Sequence, residues 1–218
     1  MRHMRMSTGR LALLDAAEKL VARRGIHGVS SRDVLKEAGQ RNNSAISYHF
    51  GSWHGLLDAI WSRHAPTINA ERAALVAAAE RDAPPTLDRL VHAYVHPLAT
   101  QVHTSDPGYW ARFNEQWLAT APLDVLSPPA SAARGAHYYP SDESLDVLSA
   151  LLVRIADELG PPEIVARRRV GLMVRFVIGA YAAYERARED GDAPAPDLFE
   201  DEIIALACAM LRVPRVNR

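Results

Sequence analysis

The chain lacks most of what secreted, membrane-spanning and catalytic proteins rely on. It has one cysteine, Cys208, so no internal disulfide is available and a reducing compartment suits it. No apolar run approaches the roughly 20 residues of a membrane span. The opening MRHMRMSTGR has no apolar core for a signal peptide. A cytoplasmic protein without membrane contact is expected. Also missing are a Gly-rich phosphate loop, a nucleophile elbow and metal-hydrolase spacing, so neither enzymatic activity nor a cofactor is expected. Asp142, Glu143 and Asp146 gather at one predicted helix start, where they are explained as charges favourable to the helix dipole. No strand pattern, internal repeat or low-complexity tract stands out.

What is present suits a helical protein with a small head and a larger body. The chain has 218 residues, 48% of them hydrophobic, enough for one good-sized core or for such a division. Charged residues at 23% and a net charge of −1 are ordinary, but the average hides an asymmetry. Residues 1–65 hold ten Lys/Arg against five Asp/Glu, and the remainder holds fifteen against twenty-one. A basic head on an acidic body fits a protein that meets phosphates at one end only.

The most informative stretch runs from Val29 to Leu57, VSSRDVLKEAGQRNNSAISYHFGSWHGLL. Ser30 can cap a short helix, with Asp33 completing a capping box and Val29 and Val34 spaced as a hydrophobic staple. Val34, Leu35 and Ala38 give that helix an apolar side, and Gly39 suits a left-handed turn at its end. Gln40, Arg41, Asn42, Asn43 and Ser44 follow, hydrogen-bonding side chains with one charge among them. Such residues suit the leading end of a helix presented to base edges. Ile46 and Phe50 anchor this second helix from behind, leaving Ser47, Tyr48 and His49 to face a partner.

This segment resembles the DNA-binding head of the TetR family of transcriptional regulators. The resemblance rests on Gly25 and Gly28, the run SSRDVLKEAG, the YHFGS block at 48–52 and LLDAI after it, and covers roughly the first 60 residues. Two features depart from the family pattern. The turn before the YHF block is one residue longer, and Ser47-Tyr48 and Trp53 stand where the family has an aromatic pair and a lysine. The resemblance implies a DNA-contact set of Ser31, Arg32, Gln40 to Ser44, Ser47, Tyr48, His49 and His54. Phosphate contacts near the departures would be fewer, or made by Ser47, His49 and His54.

Along the chain, a supporting helix is expected from Thr8 to Arg24, with Leu13, Ala17, Leu20 and Val21 as its apolar stripe and Gly25 at its end. Ahead of it, Arg2, His3, Arg5 and Arg10 read as a frayed terminus rather than an arm reaching for a DNA groove. A fourth helix is expected from Ser52, bent or ended by Pro66. Further helices are expected at 66–82, 85–104, 107–121, 142–159, 162–189 and 197–212. The segment 127–141 reads as a loop of a length that is usually functional or mobile. The division is a helix-turn-helix head over 1–51 and a helical ligand-binding and dimerisation body over 52–218, an all-α fold.

Within the body, the helices at 162–189 and 197–212 are apolar on more than one face and must bury both. The resemblance supplies the second cover, a partner subunit in a homodimer. Trp110, Phe113 and Trp117 share one side of a helix, and Tyr94, Asn114 and Phe176 complete an expected lining for a small apolar effector. Tyr138 and Tyr139 add aromatics in the loop. Ordinary core packing is the competing reading of such a stripe. His92, His96 and His103 would lie within about 40° on a continuous helix, at 100° per residue. Pro97 interrupts them and no cysteine is near, so a solvated polar face is expected rather than a metal site.

The expected function is a homodimeric transcriptional repressor that binds a palindromic operator and is released by a small apolar effector. The alternative is a carrier or enzyme whose head no longer binds DNA.

Overall fold

The computed structural model describes residues 8–81, 84–119, 121–126 and 142–214. The basic residues Arg2, His3 and Arg5, the tyrosines Tyr138 and Tyr139 and the side chains of Asp142 and Glu143 lie outside the description. The described residues form α1 (Thr8–Arg24), α2 (Ser31–Glu37), α3 (Ala45–Phe50), α4 (Trp53–Ala79) and α5 (Leu87–Thr104). These are followed by α6 (Trp110–Leu118), α7 (Asp142–Glu158), α8 (Glu163–Asp190) and α9 (Pro196–Arg212). No strand occurs among them, and none of the helices is long and apolar enough to cross a membrane.

Helix α1 forms where its pattern places it. Leu13, Ala17, Leu20 and Val21 are buried, and Arg23 and Arg24 occupy the last turn, where cations oppose the dipole's negative end. Gly25 then turns the chain at φ 80°, and a Cβ there would stand 3.1 Å from the Gln116 side chain of α6. Glycine therefore meets two needs at this joint, the left-handed backbone and the close approach.

The expected helix end at Pro66 is not found. The helix does not break there, and the two predicted segments are a single helix, α4, of 27 residues. A proline inside a helix removes one backbone bond and crowds the preceding turn. Pro66 sits on the exposed side, where water can solvate the freed carbonyl, while Ala65, Ile68 and Arg72 stay packed on the buried side. Pro97 is likewise carried inside α5 without ending it.

A single hydrophobic core extends from Leu13 to Leu211, so head and body are not separately cored. Helix α4 packs on α1 and α3 at its head end and on α5 and α7 further along, while α6 lies between α1 and α8. Helix α9 closes against α5 and α8.

Candidate DNA-binding head and body cavity

The head is built as its sequence suggests, with one difference of placement. Ser30 caps α2 by accepting from Asp33 N at 3.2 Å, and the Asp33 carboxylate accepts from Ser30 N at 2.9 Å. Gly39 takes φ 63° immediately after the helix. The polar run then forms the turn before α3 rather than its first residues, because α3 begins only at Ala45. Asn42 is used within this turn, its Oδ1 accepting from Ser44 N at 2.9 Å. Gln40 lies back against α1, its amide nitrogen 3.2 Å from where a Cβ on Gly9 would stand.

The remaining expected DNA-contact residues lie on the surface. Ser31 and Arg32 are exposed at the start of α2, Arg41, Asn43 and Ser44 on the turn, and Ser47 on α3. Tyr48 is 81% exposed, unusual for so large a ring, and meets His49 edge to face at 4.9 Å between ring centres. His54 is exposed on the first turn of α4. Ala45 and Ile46 are buried behind this surface, and Arg10 of α1 stacks on Phe50 at 4.9 Å.

In the body, a cavity of about 50 Å³ is walled by α4, α5 and α6, with Leu148 of α7 and Ile178 of α8 closing it. Of the expected lining residues, Tyr94, Trp110 and Asn114 face it. Phe113 and Trp117 are buried beside it, Phe113 stacked on Trp110 at 5.9 Å and Trp117 edge-on to Trp61 at 5.7 Å. Phe176 is half-buried on α8, away from the lining. The sequence reading missed Trp61 and Arg72, which α4 contributes to the wall. Trp61 sits edge-on to Trp110 at 5.0 Å.

Head and body are joined by an ion network centred on Arg112 of α6. Glu185 of α8 accepts from the backbone N–H groups of Ala111 and Arg112, each at 3.0 Å, and so caps α6 from another helix. Burial pushes the Glu185 carboxyl above its ordinary range, against the two amides and the Arg112 guanidinium that pull it down. The Arg112 guanidinium forks onto Glu189 at 2.9 and 3.0 Å, and Arg23 of α1 reaches the same carboxylate at 3.0 Å. Hydrogen bonding from Arg112, supported by Arg23, holds Glu189 down to about 2.

Glu189 therefore contributes stability that is present above its unfolded value of 4.5 and is lost as pH falls toward about 2. Glu189→Gln should flatten the fall in unfolding midpoint over that window. Equal acid sensitivity in parent and variant would remove Glu189 from this role.

The three histidines of α5 do not act as one group. With the helix unbroken at Pro97, His92 and His96 stack at 5.1 Å, and His96 meets Glu71 at 3.3 Å and Glu200 at 2.6 Å. Ligand-type atoms of His92, His96 and Glu200 come within 4.8 Å of one another. His103 packs instead beside Tyr181 and Tyr184, where burial lowers its pKa.

A small three-helix head with a capped α2, a left-handed glycine turn and a short α3 set on a longer α4 is a helix-turn-helix module. Residues 13–60 match the model described as bacterial regulatory proteins, tetR family. The head is therefore of the TetR type, a DNA-binding module of bacterial transcriptional regulators. A comparison with curated proteins finds no match. Among solved structures, the chain is similar to multidrug binding protein EbrR complexed with imidazole, at 19% identity and TM-score 0.46, covering 95% of this chain and 97% of that one. It is also similar to a transcriptional regulator from Rhodococcus sp. Rha1, at 19% identity and TM-score 0.47, with 93% and 95% covered. A TetR transcriptional regulator from Rhodococcus sp. RHA1 follows at 17% and 0.44, with 94% and 96% covered. Likeness at this level carries no argument, and the resemblance to the family rests on the head.

Proposed function

We propose that the chain is a homodimeric repressor whose head binds a palindromic operator and whose body releases it when a small, largely apolar effector enters the cavity. The observation that carries this reading is the span of α4. Its first residue, Trp53, follows α3 after Gly51 and Ser52, and its middle supplies Trp61 and Arg72 to the cavity wall. Pockets that take drug-sized ligands measure roughly 300–1,000 Å³, far more than the cavity's 50 Å³. An effector must therefore part α4 from α5 and α6, and the head end of α4 moves with it. A coupling of about 1–3 kcal/mol would weaken operator binding roughly 5- to 150-fold.

The dimer would form through α8 and α9. Leu172 on α8 and Leu198 and Leu206 on α9 are exposed apolar side chains on the protomer, and Gly179 has open space where a Cβ would be. Such paired stripes suit a helix-on-helix contact between two copies.

Selecting bound sequences from random DNA tests the reading. A palindrome with a fixed half-site spacing is expected; no enrichment would favour a carrier or enzyme instead. In the head, Arg41→Ala and Asn43→Ala should relax base preference by about 1–3 kcal/mol. Tyr48→Ala and His49→Ala should weaken all sequences alike, because phosphate contacts carry no sequence information. If all four variants bind as the parent does, the recognition surface lies elsewhere.

A further inference from the structure

The cavity contains a charge that its apolar surroundings do not explain. Arg72 of α4 is only 4% exposed and lines the cavity, yet among the described residues no carboxylate forms an ion pair with it. Its Nη1 donates to Asn69 Oδ1 at 2.5 Å, a neutral acceptor one turn back, and its Nε has no hydrogen-bond partner. Glu71, its neighbour in sequence, reaches His96 instead, at 3.3 Å. Burial lowers the Arg72 pKa to about 10, which still leaves the guanidinium charged near neutral pH. A second donor on the same wall, Trp61 Nε1, is also buried without a partner.

A buried cation without a counter-ion is costly, and an unpartnered indole N–H beside it adds to that cost. Both costs fall if the missing acceptor arrives with the ligand. A guanidinium presents a planar fork that matches a carboxylate bidentately. Apart from the neutral amides of Asn69 and Asn114, the rest of the wall, including Ile68, Tyr94, Leu98 and Trp110, is apolar or aromatic, and among the described residues it has no second cation for a doubly charged phosphate.

We infer that the effector is an apolar or aromatic carboxylic acid, bound as its anion, with the carboxylate on Arg72 and the apolar body toward Trp110. The inference rests on reading the cavity as the effector site and adds the ligand's chemical class. It also accounts for coupling, since the ligand's strongest bond is to α4, the helix that carries the head.

The test uses the full chain with benzoate, 1-naphthoate and decanoate, each paired with its primary amide, and follows binding by calorimetry. At least one acid should bind tenfold or more tightly than its own amide. In Arg72→Met that preference should vanish, and the ligand-free variant should melt no lower than the parent because an unpaired charge has been removed. Arg72→Lys should retain a weaker preference for the acid. The inference is overturned if no acid binds, if amides bind as well as acids, if the preference survives in Arg72→Met, or if that variant melts well below the parent. Operator release separates this inference from the functional reading. Neutral amides that release DNA with no acid preference sink the anion and leave the regulator standing. An acid preference with no effect on DNA binding does the reverse.

Discussion

Replacing Leu206 by Asp should leave a folded protein that sediments as a monomer at micromolar concentration. Its hold on a two-half-site operator should fall about 10²- to 10⁴-fold, the advantage that linking two heads confers. Leu206 is 45% exposed on the protomer, so the new carboxylate can be hydrated there and the fold has little to lose. In a dimer that covers α9, the same charge would be buried without a partner. Binding to an isolated half-site should be unchanged, because the head is untouched. Ile204 and Phe176 are poorer places for this experiment. Both are half-buried within the protomer, and a charge there would strain the core and the interface together. A Leu206→Asp protein that stays dimeric would remove α9 from the interface.

The largest loss of stability should come from Arg112→Ala. Arg112 is 3% exposed and Glu185 2%, and removing one member of a buried ion pair costs about 3–5 kcal/mol. For a chain of this size that is a fall of roughly 6–20 °C in melting temperature. The loss has several parts. Glu189 loses its forked partner, the Gly108 carbonyl loses a donor at 2.9 Å, and Glu185 keeps its burial with only the two α6 amides to hold it. Arg112→Lys should fall between, since a lysine keeps the charge but cannot present the fork. A thermal melt of the three proteins checks the order. An Arg112→Ala protein within about 1 kcal/mol of the parent would place the network among weak surface pairs.

The head was legible because its signals are local. Ser30 and Asp33 lie three residues apart, the glycine turn follows the last apolar residue of α2, and both form as read. Prolines were harder to read. Pro66 and Pro97 carry the usual sign of a helix end, but in each case packing on the buried side outweighs one lost backbone bond. The body cavity was half legible. Aromatic spacing found Trp110, which faces the cavity, and also Phe113 and Trp117, which pack behind it. Nothing in the pattern marked Arg72, because an arginine beside a glutamate on a long helix ordinarily reads as solvated. Its burial is decided by packing against α5 and α7, which the spacing along α4 does not reveal. The pairing of Arg112 with Glu185 and Glu189 is invisible for the same reason, since those partners lie more than 70 positions away.

The Arg23–Glu189 contact changes what a salt titration of operator binding would count. The slope of affinity against salt is usually taken as the number of phosphates a protein neutralises. Here one cation–anion pair between α1 and α8 also lies partly in solvent, with side chains 46% and 31% exposed, and is itself screened as salt rises. Added electrolyte would reduce the free energy gained when the DNA releases its counterions and at the same time slacken the tie that sets the angle of α1 against the body. The fitted slope would then exceed the number of backbone phosphates contacted. The excess should disappear in Arg23→Gln, which gives the ion count of the DNA contact alone.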